Sequence, residues 1–346
     1  MKNSIRVWAF LGLIASIVLS ACSLQEERVW KDKDLEEGTA LRLQEKYKFL
    51  EFASQEILDA TYQDMFLTQG KSIFLVPQPT GFVSQKRAFD QIDSDEAYQE
   101  IANNLWDHPY RNFLYVEIDP ASREMEAQRV VASPLMAHLV SQDGLLKVGT
   151  SLRKYTPKKL LIVENPTDAM IDRMIEWDGT SELDFGVVTD IITEGVGKNA
   201  NTRGLEGECI NQYTKNGRNF RVIGRQRSTL SAPGNDVERE WYAETKHQRR
   251  RFQIWFGNDD AVLDLTFNGT YQLGASGIFT NAFQQSLNVT GESSVELLIA
   301  SCRAPQFTGT GEVSPCESGF DWGVGTSSIH GAEQGNKGDE CTVSVN

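Results

Sequence analysis

The sequence predicts an α+β protein: a mixed α/β N-terminal part followed by a mostly antiparallel, sandwich-like β C-terminal domain. Three observations carry this. Helix starts, each a capping residue followed by apolar residues at helical spacing, occur only before about Gly207. Beyond it, Asn-Gly pairs at 216–217 and 268–269 divide short β-type runs, the strongest short-range hairpin signal. Three cysteines also fall in the last 45 residues, in a Gly/Ser/Thr-rich stretch of the kind that disulfides staple.

The elements follow in order. Residues 47–52 (YKFLEF) alternate like a strand. Ser54 caps a helix over 55–65, with Ile57, Leu58 and Tyr62 along one side. Residues 72–76 form a short apolar run closed by Pro77. Residues 94–106 read as a helix whose first-turn acids match the helix dipole. Residues 112–118 form a strand, and Ser133-Pro134 opens a short helix. Asp143-Gly144 is a turn, and 146–148 and 152–155 flank Gly149 as a hairpin. Residues 160–163 are a strand, and Asn165-Pro166 opens a helix that runs to Trp177. Later strands fall at 212–215, 219–223, 240–245, 252–256, 262–267, 270–273 and 295–300, a spacing that suits a sandwich or barrel. The polar, Gly-rich stretch 181–208 reads as a linker, which places an α+β domain at 39–180 and a β-rich domain at 209–346.

The N-terminus carries an address. Lys2 and Arg6 precede an apolar run over 7–19, which is short for a spanning helix. Leu19-Ser20-Ala21-Cys22 then resembles the lipobox of bacterial lipoproteins. The resemblance implies a signal peptide at 1–21, cleavage before Cys22, and acylation of Cys22 that anchors the chain to a membrane. The alternative is an ordinary secretory signal followed by a chance cysteine. Residues 22–38 are highly charged and read as a flexible tether. Ser23 is not the aspartate that retains lipoproteins in the inner membrane of enteric bacteria. The acidic cluster that follows is similar to the export signal of Bacteroidota surface lipoproteins, so an outer-membrane location is expected, with surface display ahead of the periplasmic face.

Two further segments resemble uncharacterised surface lipoproteins of Bacteroidota: residues 133–156 (SPLMAHLVSQDGLLKVGTSLRKYT) and 241–255 (WYAETKHQRRRFQIW). The first departs from that pattern at Ser141-Gln142, where an Asn and an acid are usual. The resemblance implies a compartment and an architecture, and no activity.

The formal charge is −14, and loss of residues 1–21 removes Lys2 and Arg6 and no acid, giving −16. Such a surface disfavours nucleic acid. Cys209, Cys302, Cys316 and Cys341 form an even set in an exported chain, which predicts disulfides with three connectivities open.

No motif calls for a cofactor, a metal or a catalytic residue. The histidines (His108, His138, His247 and His330) form no HExxH pattern, and the cysteines form no CxxC. A Ser–His–Asp grouping of Ser327 or Ser328, His330 and Asp321 lacks a GxSxG elbow. Asn258, Asp259, Asp260 and Asp264 are calcium-type ligands without EF-hand order and fit a turn between strands better. Lys246, Arg249, Arg250 and Arg251 form a cationic cluster with two readings: an anion or glycan site, or a solvated strand end that resists edge pairing. Arg218, Arg221, Arg225 and Arg227 have the same two readings, and the patch grows if the two strands are neighbours. Trp241, Tyr242, Trp255, Phe256 and Trp322 would make either an aromatic sugar platform or core. The functional expectation is a non-enzymatic surface or periplasmic lipoprotein that binds a glycan or protein, or builds an assembly. The alternatives are a glycan-processing enzyme, with carboxylates drawn from Asp184, Glu194, Asp264 and Asp321, and a pilus- or fimbria-like subunit.

Overall fold

The computed structural model describes residues 43–68, 73, 75–120, 122–194, 207–231, 236–273, 281–305, 320–322, 325–334 and 337–344. Cys22, the signal peptide and the tether lie outside the described residues. The chain divides into two units, Met1–Lys48 and Phe49–Asn346. Of the first, a single helical turn at 43–47 is described.

In the second unit, local sequence chemistry sets the helices. Helix α1 (Gln55–Leu67) starts where the Ser54 hydroxyl accepts from the Ile57 amide, and it buries Leu58 and Met65. Helix α2 (Gln85–Asp90) is capped by Ser84 in the same way. Helix α3 (Asp95–Asn103) is capped by Ser94 and carries Asp95 and Glu96 in its first turn. Its buried stripe is Ala97, Tyr98 and Ile101. The short α4 (Met136–Leu139) follows Ser133, whose hydroxyl accepts from the Met136 amide at 3.1 Å. Helix α5 (Asp168–Glu176) starts two residues later than the sequence suggests. Thr167 is its cap, because Asn165 sits at φ 46°, outside helical geometry. Among the described residues no helix occurs after 207, and none is long and apolar enough to cross a membrane.

Two long strands, β9 (Arg218–Ser231) and β10 (Asp236–Arg251), pair antiparallel from Glu238↔Ser231 to Arg249↔Phe220. Each shares its outer edge between two partners. Beside β9 lie β8 (Glu208–Lys215) at one end and β7 (Val187–Glu194) at the other. Beside β10 lie β14 (Ser294–Pro305) and β11 (Ile254–Gly257). From β7 the sheet runs through β6 (Lys159–Glu164), β5 (Ser151–Tyr155) and β4 (Leu145–Val148) to β1 (Glu51–Phe52). From β11 it runs through β3 (Met125–Arg129) to β2 (Leu114–Ile118). A second sheet has the order β13 (Asn281–Thr290), β12 (Val262–Leu273), β16 (Ser327–Gln334), β17 (Lys337–Ser344), with β15 (Phe320–Trp322) also on β12.

The sheets pack as the sandwich that the second half of the sequence predicts. Val222, Trp241, Ala243, Leu297 and Ile299 of the first meet Leu263, Leu265, Phe267 and Ala332 of the second. Each large side chain buried this way contributes about 1.5–3 kcal/mol. The fold is α+β with mostly antiparallel sheets.

Two expectations need correction. The segment 181–208, read as a linker, contains β7, which joins β6 to β9. With β3 also paired to β11, the sheet runs through both halves, and Phe49–Asn346 is one compact unit rather than two domains. Polar, glycine-rich composition resembles a linker, and the apolar residues Val187 and Val188 of β7 are exposed, so no buried face marks the strand. The second correction is at Asn268-Gly269, which lies inside the unbroken β12. Glycine is required there for space: a Cβ would sit 2.4 Å from the side chain of Thr326, whose hydroxyl bonds to Thr270. Asn216-Gly217 is the true turn, at φ 52° and 71°, between β8 and β9.

Lys154 on β5 is fully enclosed. Its ammonium donates to Asn112 Oδ1 at 2.9 Å and to the Asp143 carbonyl at 2.6 Å. Burial pulls its pKa from 10.5 to about 7 against the opposing pull of Asp143. Between those values the unfolded chain holds a proton that the folded chain lacks, so stability rises with pH from about 7 towards 10.5. Below pH 7 the penalty is fully present. The slope approaches about 1.4 kcal/mol per pH unit. Urea melts at pH 7, 8 and 9 are expected to show that gain in the wild type and not in Lys154→Met.

Candidate functional site

Because strand side chains alternate, β9 and β10 send one set of residues into the sandwich and the other to the opposite face. That opposite face carries Arg221, Arg225 and Arg227 on β9, and Tyr242, Glu244, Lys246 and Gln248 on β10. Strand β3, held by its parallel pairing with β11, brings Glu126 and Gln128 against it. The result is a buried charged layer. Glu126 accepts from Arg221 at 2.9 Å, from both terminal nitrogens of Arg225 at 2.7 and 2.8 Å, and from Gln248 at 3.1 Å. Arg221 also reaches Glu124, and Arg225 reaches Glu208. Lys246 lies 3.2 Å from Glu244 and 3.7 Å from Glu126, and donates to Gln128 Oε1 at 2.9 Å. Arg129 pairs with Glu296 at 2.8 Å. Burial alone would push the Glu126 carboxyl up, but Arg225, Lys246 and Arg221 together hold it far below the usual carboxylate range.

Within this layer is a chamber of about 60 Å³, lined by Tyr115, Gln128, Arg227, Tyr242, Glu244 and Lys246 among others. Three of the residues around it carry a fully buried polar atom without a hydrogen-bond partner: Gln128 Nε2, Arg227 Nε and Glu244 Oε2. The phenols of Tyr115 and Tyr242 are both held protonated by burial.

A second concavity is a half-open groove of about 770 Å³ bounded by α1, α2, α4, β13 and β14. Its apolar wall includes Ile73, Phe82, Leu135, Leu287 and Leu298. Its polar groups include Lys86, His138, Glu292 and Glu296. Lys86 is ion-paired to Asp90 at 2.8 Å and to Glu292 at 2.9 Å, while burial and then Lys86 pull the His138 imidazole down to about 3.

The residues singled out from sequence do not come together as one patch. Trp241 is in the sandwich core. Lys246 is buried in the charged layer. Arg250 is exposed, and Arg251 bonds Asp95 and covers the Tyr98 ring at 4.4 Å. Arg249 is half-buried, on the face opposite Lys246. Trp255 is buried with the Arg221 guanidinium 4.4 Å over its ring, so it offers no aromatic platform. Phe252, read as strand, is in the turn between β10 and β11, where it and Gln253 take φ 48° and 69°. Among the acids, Asp184 pairs with Arg173 at the surface, and Asp264 accepts from Asn288. Asp259 and Asp260 are exposed between β11 and β12, while Asn258 holds His247. The side chains of Glu194, Asp321 and Trp322 lie outside the described residues.

Cys209 on β8 is bonded to Cys341 on β17, and Cys302 is also a half-cystine. Cys316 lies outside the described residues.

His330 is enclosed between Ser328, with Nε2 to Oγ at 2.7 Å, and Thr245 at 2.9 Å. Its second partner is a hydroxyl rather than Asp321, and no solvent reaches it. Burial pulls His108 and His330 from 6.5 to about 4. The unfolded chain binds those protons first, so stability present above pH 6.5 is lost as pH falls towards 4. Each contributes about 2 kcal/mol of loss at pH 5. Melts of His330→Gln are expected to show a correspondingly shallower loss between pH 7 and 5.

No protein-family model matches the sequence, and no curated protein sequence matches it. Among solved structures, a DUF4848 family protein from Bacteroides thetaiotaomicron aligns at 10% identity over 86% of this chain and 97% of its own. The TM-score is 0.20, a superposition too slight to define a shared fold.

Proposed function

We propose that this chain is a lipid-anchored cell-envelope protein that binds a ligand in the groove between the helices and strands β13 and β14, without catalysing a reaction. The groove is the observation that carries the reading. Its volume, about 770 Å³, is in the range of ligand pockets. Its apolar wall ends in a few charged groups, the combination that orients an amphipathic ligand. The lipobox-like residues 19–22 support the anchor at Cys22, and the acidic residues behind it support display on the outer membrane.

A saturable fluorescence rise with 1-anilinonaphthalene-8-sulfonate, an apolar probe bearing one anionic group, tests the groove. The mature protein is expected to bind it, and Gln285→Trp, which fills the groove, to weaken binding at least tenfold. Absence of saturable binding, or equal binding by the variant, removes the groove as the site. Labelled palmitate incorporated by the wild type and not by Cys22→Ala tests the anchor. Protease treatment of intact cells, with Cys22→Ala as control, separates surface display from a periplasmic position.

A further inference from the structure

We propose that Lys154 and Asn112 join after folding in an intramolecular amide bond between their side chains, with loss of ammonia. The fold brings the pair together from positions 42 residues apart. Lys154 is on β5, and Asn112 lies in the turn before β2. The Lys154 ammonium nitrogen meets Asn112 Oδ1 at 2.9 Å, one bond from the carbon that it would attack. Lys154 is only 1% exposed, so water is excluded around the amine.

Both partners are held in place. Gly144, at φ 78°, lets its turn close on the lysine: a Cβ there would lie 3.1 Å from Nζ and 3.2 Å from Cδ. The buried Gln85 side chain donates to the Asn112 carbonyl at 2.8 Å and accepts from the Val131 amide at 3.0 Å, which pins the main chain of Asn112. Fixed proximity of this kind raises the effective concentration of one group at the other by orders of magnitude. Asn112 is half-buried, and among the described residues its Nδ2, the group that leaves, has no hydrogen-bond partner.

Three acceptors surround Nζ: Asn112 Oδ1, the Asp143 carbonyl at 2.6 Å and the Ile175 carbonyl at 3.4 Å. An ammonium donates to all three. A neutral amine has two N–H bonds, which the two main-chain carbonyls take, so its lone pair turns to the Asn112 amide. Burial and the nearby Arg111 charge favour that neutral form, and Asp143 opposes it. In the reaction the lone pair forms the Nζ–Cγ bond while the C=O π pair moves to Oδ1. The carbonyl re-forms as the Cγ–Nδ2 bond breaks, and Nδ2 leaves as ammonia with one proton taken from Nζ. Nothing is oxidised or reduced. The Asp143 carboxyl, its pKa raised by burial, carries that proton. Among the described residues it makes no ion pair with Nζ, so the transfer is slow and linked chains accumulate with time after folding. Freshly prepared protein keeps the free amine and its pH-dependent stability, whereas the linked chain has no amine left to titrate.

Mass spectrometry of the mature protein, held for several days at pH 8 and 37 °C and then denatured and reduced, tests the bond. Relative to freshly prepared protein, the wild type is expected to lose the mass of one ammonia. Its tryptic digest is expected to contain one branched peptide that joins residues 112 and 154. Lys154→Met and Asn112→Ala are each expected to keep their full mass, and either decides if the other does not fold. Asp143→Asn, which keeps the main-chain carbonyl, is expected to form the link at least tenfold more slowly. The proposal is overturned if the incubated wild type keeps its full mass and yields no branched peptide. It is equally overturned if Lys154→Met loses ammonia as the wild type does, which is the mark of imide formation at an exposed asparagine such as Asn216. An equal rate in Asp143→Asn overturns the route given to the proton.

Discussion

Replacing Glu126 with alanine is expected to destabilise the protein by about 3–5 kcal/mol, the largest effect of any single substitution in the charged layer. The reason is what remains. Arg221 and Arg225 are almost fully buried, and Glu126 is the carboxylate that both share. Glu124 and Glu208, their other partners, are about 30% exposed at the margins of the layer and do not reach the centre. Removing the central carboxylate leaves guanidinium groups in an enclosed space with fewer acceptors than donors, and Gln248 loses its acceptor as well. Glu126→Gln is expected to lose less, because a neutral acceptor of the same shape survives. Urea denaturation of the three proteins at pH 7 measures this; a loss below about 1 kcal/mol for alanine would mean that water reaches the arginines. The same carboxylate has a pH signature. Its pKa is depressed in the folded state, so its contribution is complete above the ordinary carboxylate value and is lost as pH falls below about 4.5.

Nothing in the local sequence announces Glu126. The segment MEAQR alternates only Met125 and Ala127 with polar residues, too short and weak a pattern to mark a strand by itself. Its identity as a strand comes from partners far away: Arg221 is 95 residues on, Arg225 is 99, and Gln248 is 122. Local features were legible because their causes are local. Ser54, Ser94 and Ser133 cap helices with their own hydroxyls, and Asn216-Gly217 turns because both residues tolerate positive φ. The cluster Lys246–Arg251 shows where that reasoning stops. Adjacent residues of a strand face opposite ways, so a run of like charges is not a patch. One signal was available: Glu244, Lys246 and Gln248 recur at every second position, opposite Arg225 and Arg221 at the same period. Polar residues at strand spacing on two long neighbours mark a buried polar face when covering residues exist, and only the β3–β11 pairing supplies them.

Removing the Cys209–Cys341 disulfide is expected to destabilise the protein by about 2–5 kcal/mol, at the upper end because of the length of chain it closes. Its cysteines are separated by 132 residues, so the cross-link restricts nearly the whole β-rich half of the unfolded chain. In the folded state it joins β8, on the margin of the first sheet, to β17, at the edge of the second. Asn211 Nδ2 donates to Asp339 Oδ1 at 2.8 Å along the same seam, so the two margins are already aligned where the sulfurs meet. The sequence left three pairings open, because parity fixes the number of bridges and not their partners. The choice follows from sheet packing, and Gly224 shows how tight that packing is. A Cβ there would lie 2.2 Å from the His330 ring and 2.8 Å from Cys209 Sγ, so β8, β9 and β16 converge closely only with glycine at that position. Thermal melts of the Cys209→Ala/Cys341→Ala double variant are expected to fall by roughly 5–15 °C. Reducing agent should lower the wild type further than it lowers that variant, since the variant has one bridge fewer to lose. Equal melting of wild type and double variant under oxidising conditions would mean that the seam is held by its hydrogen bonds and packing alone.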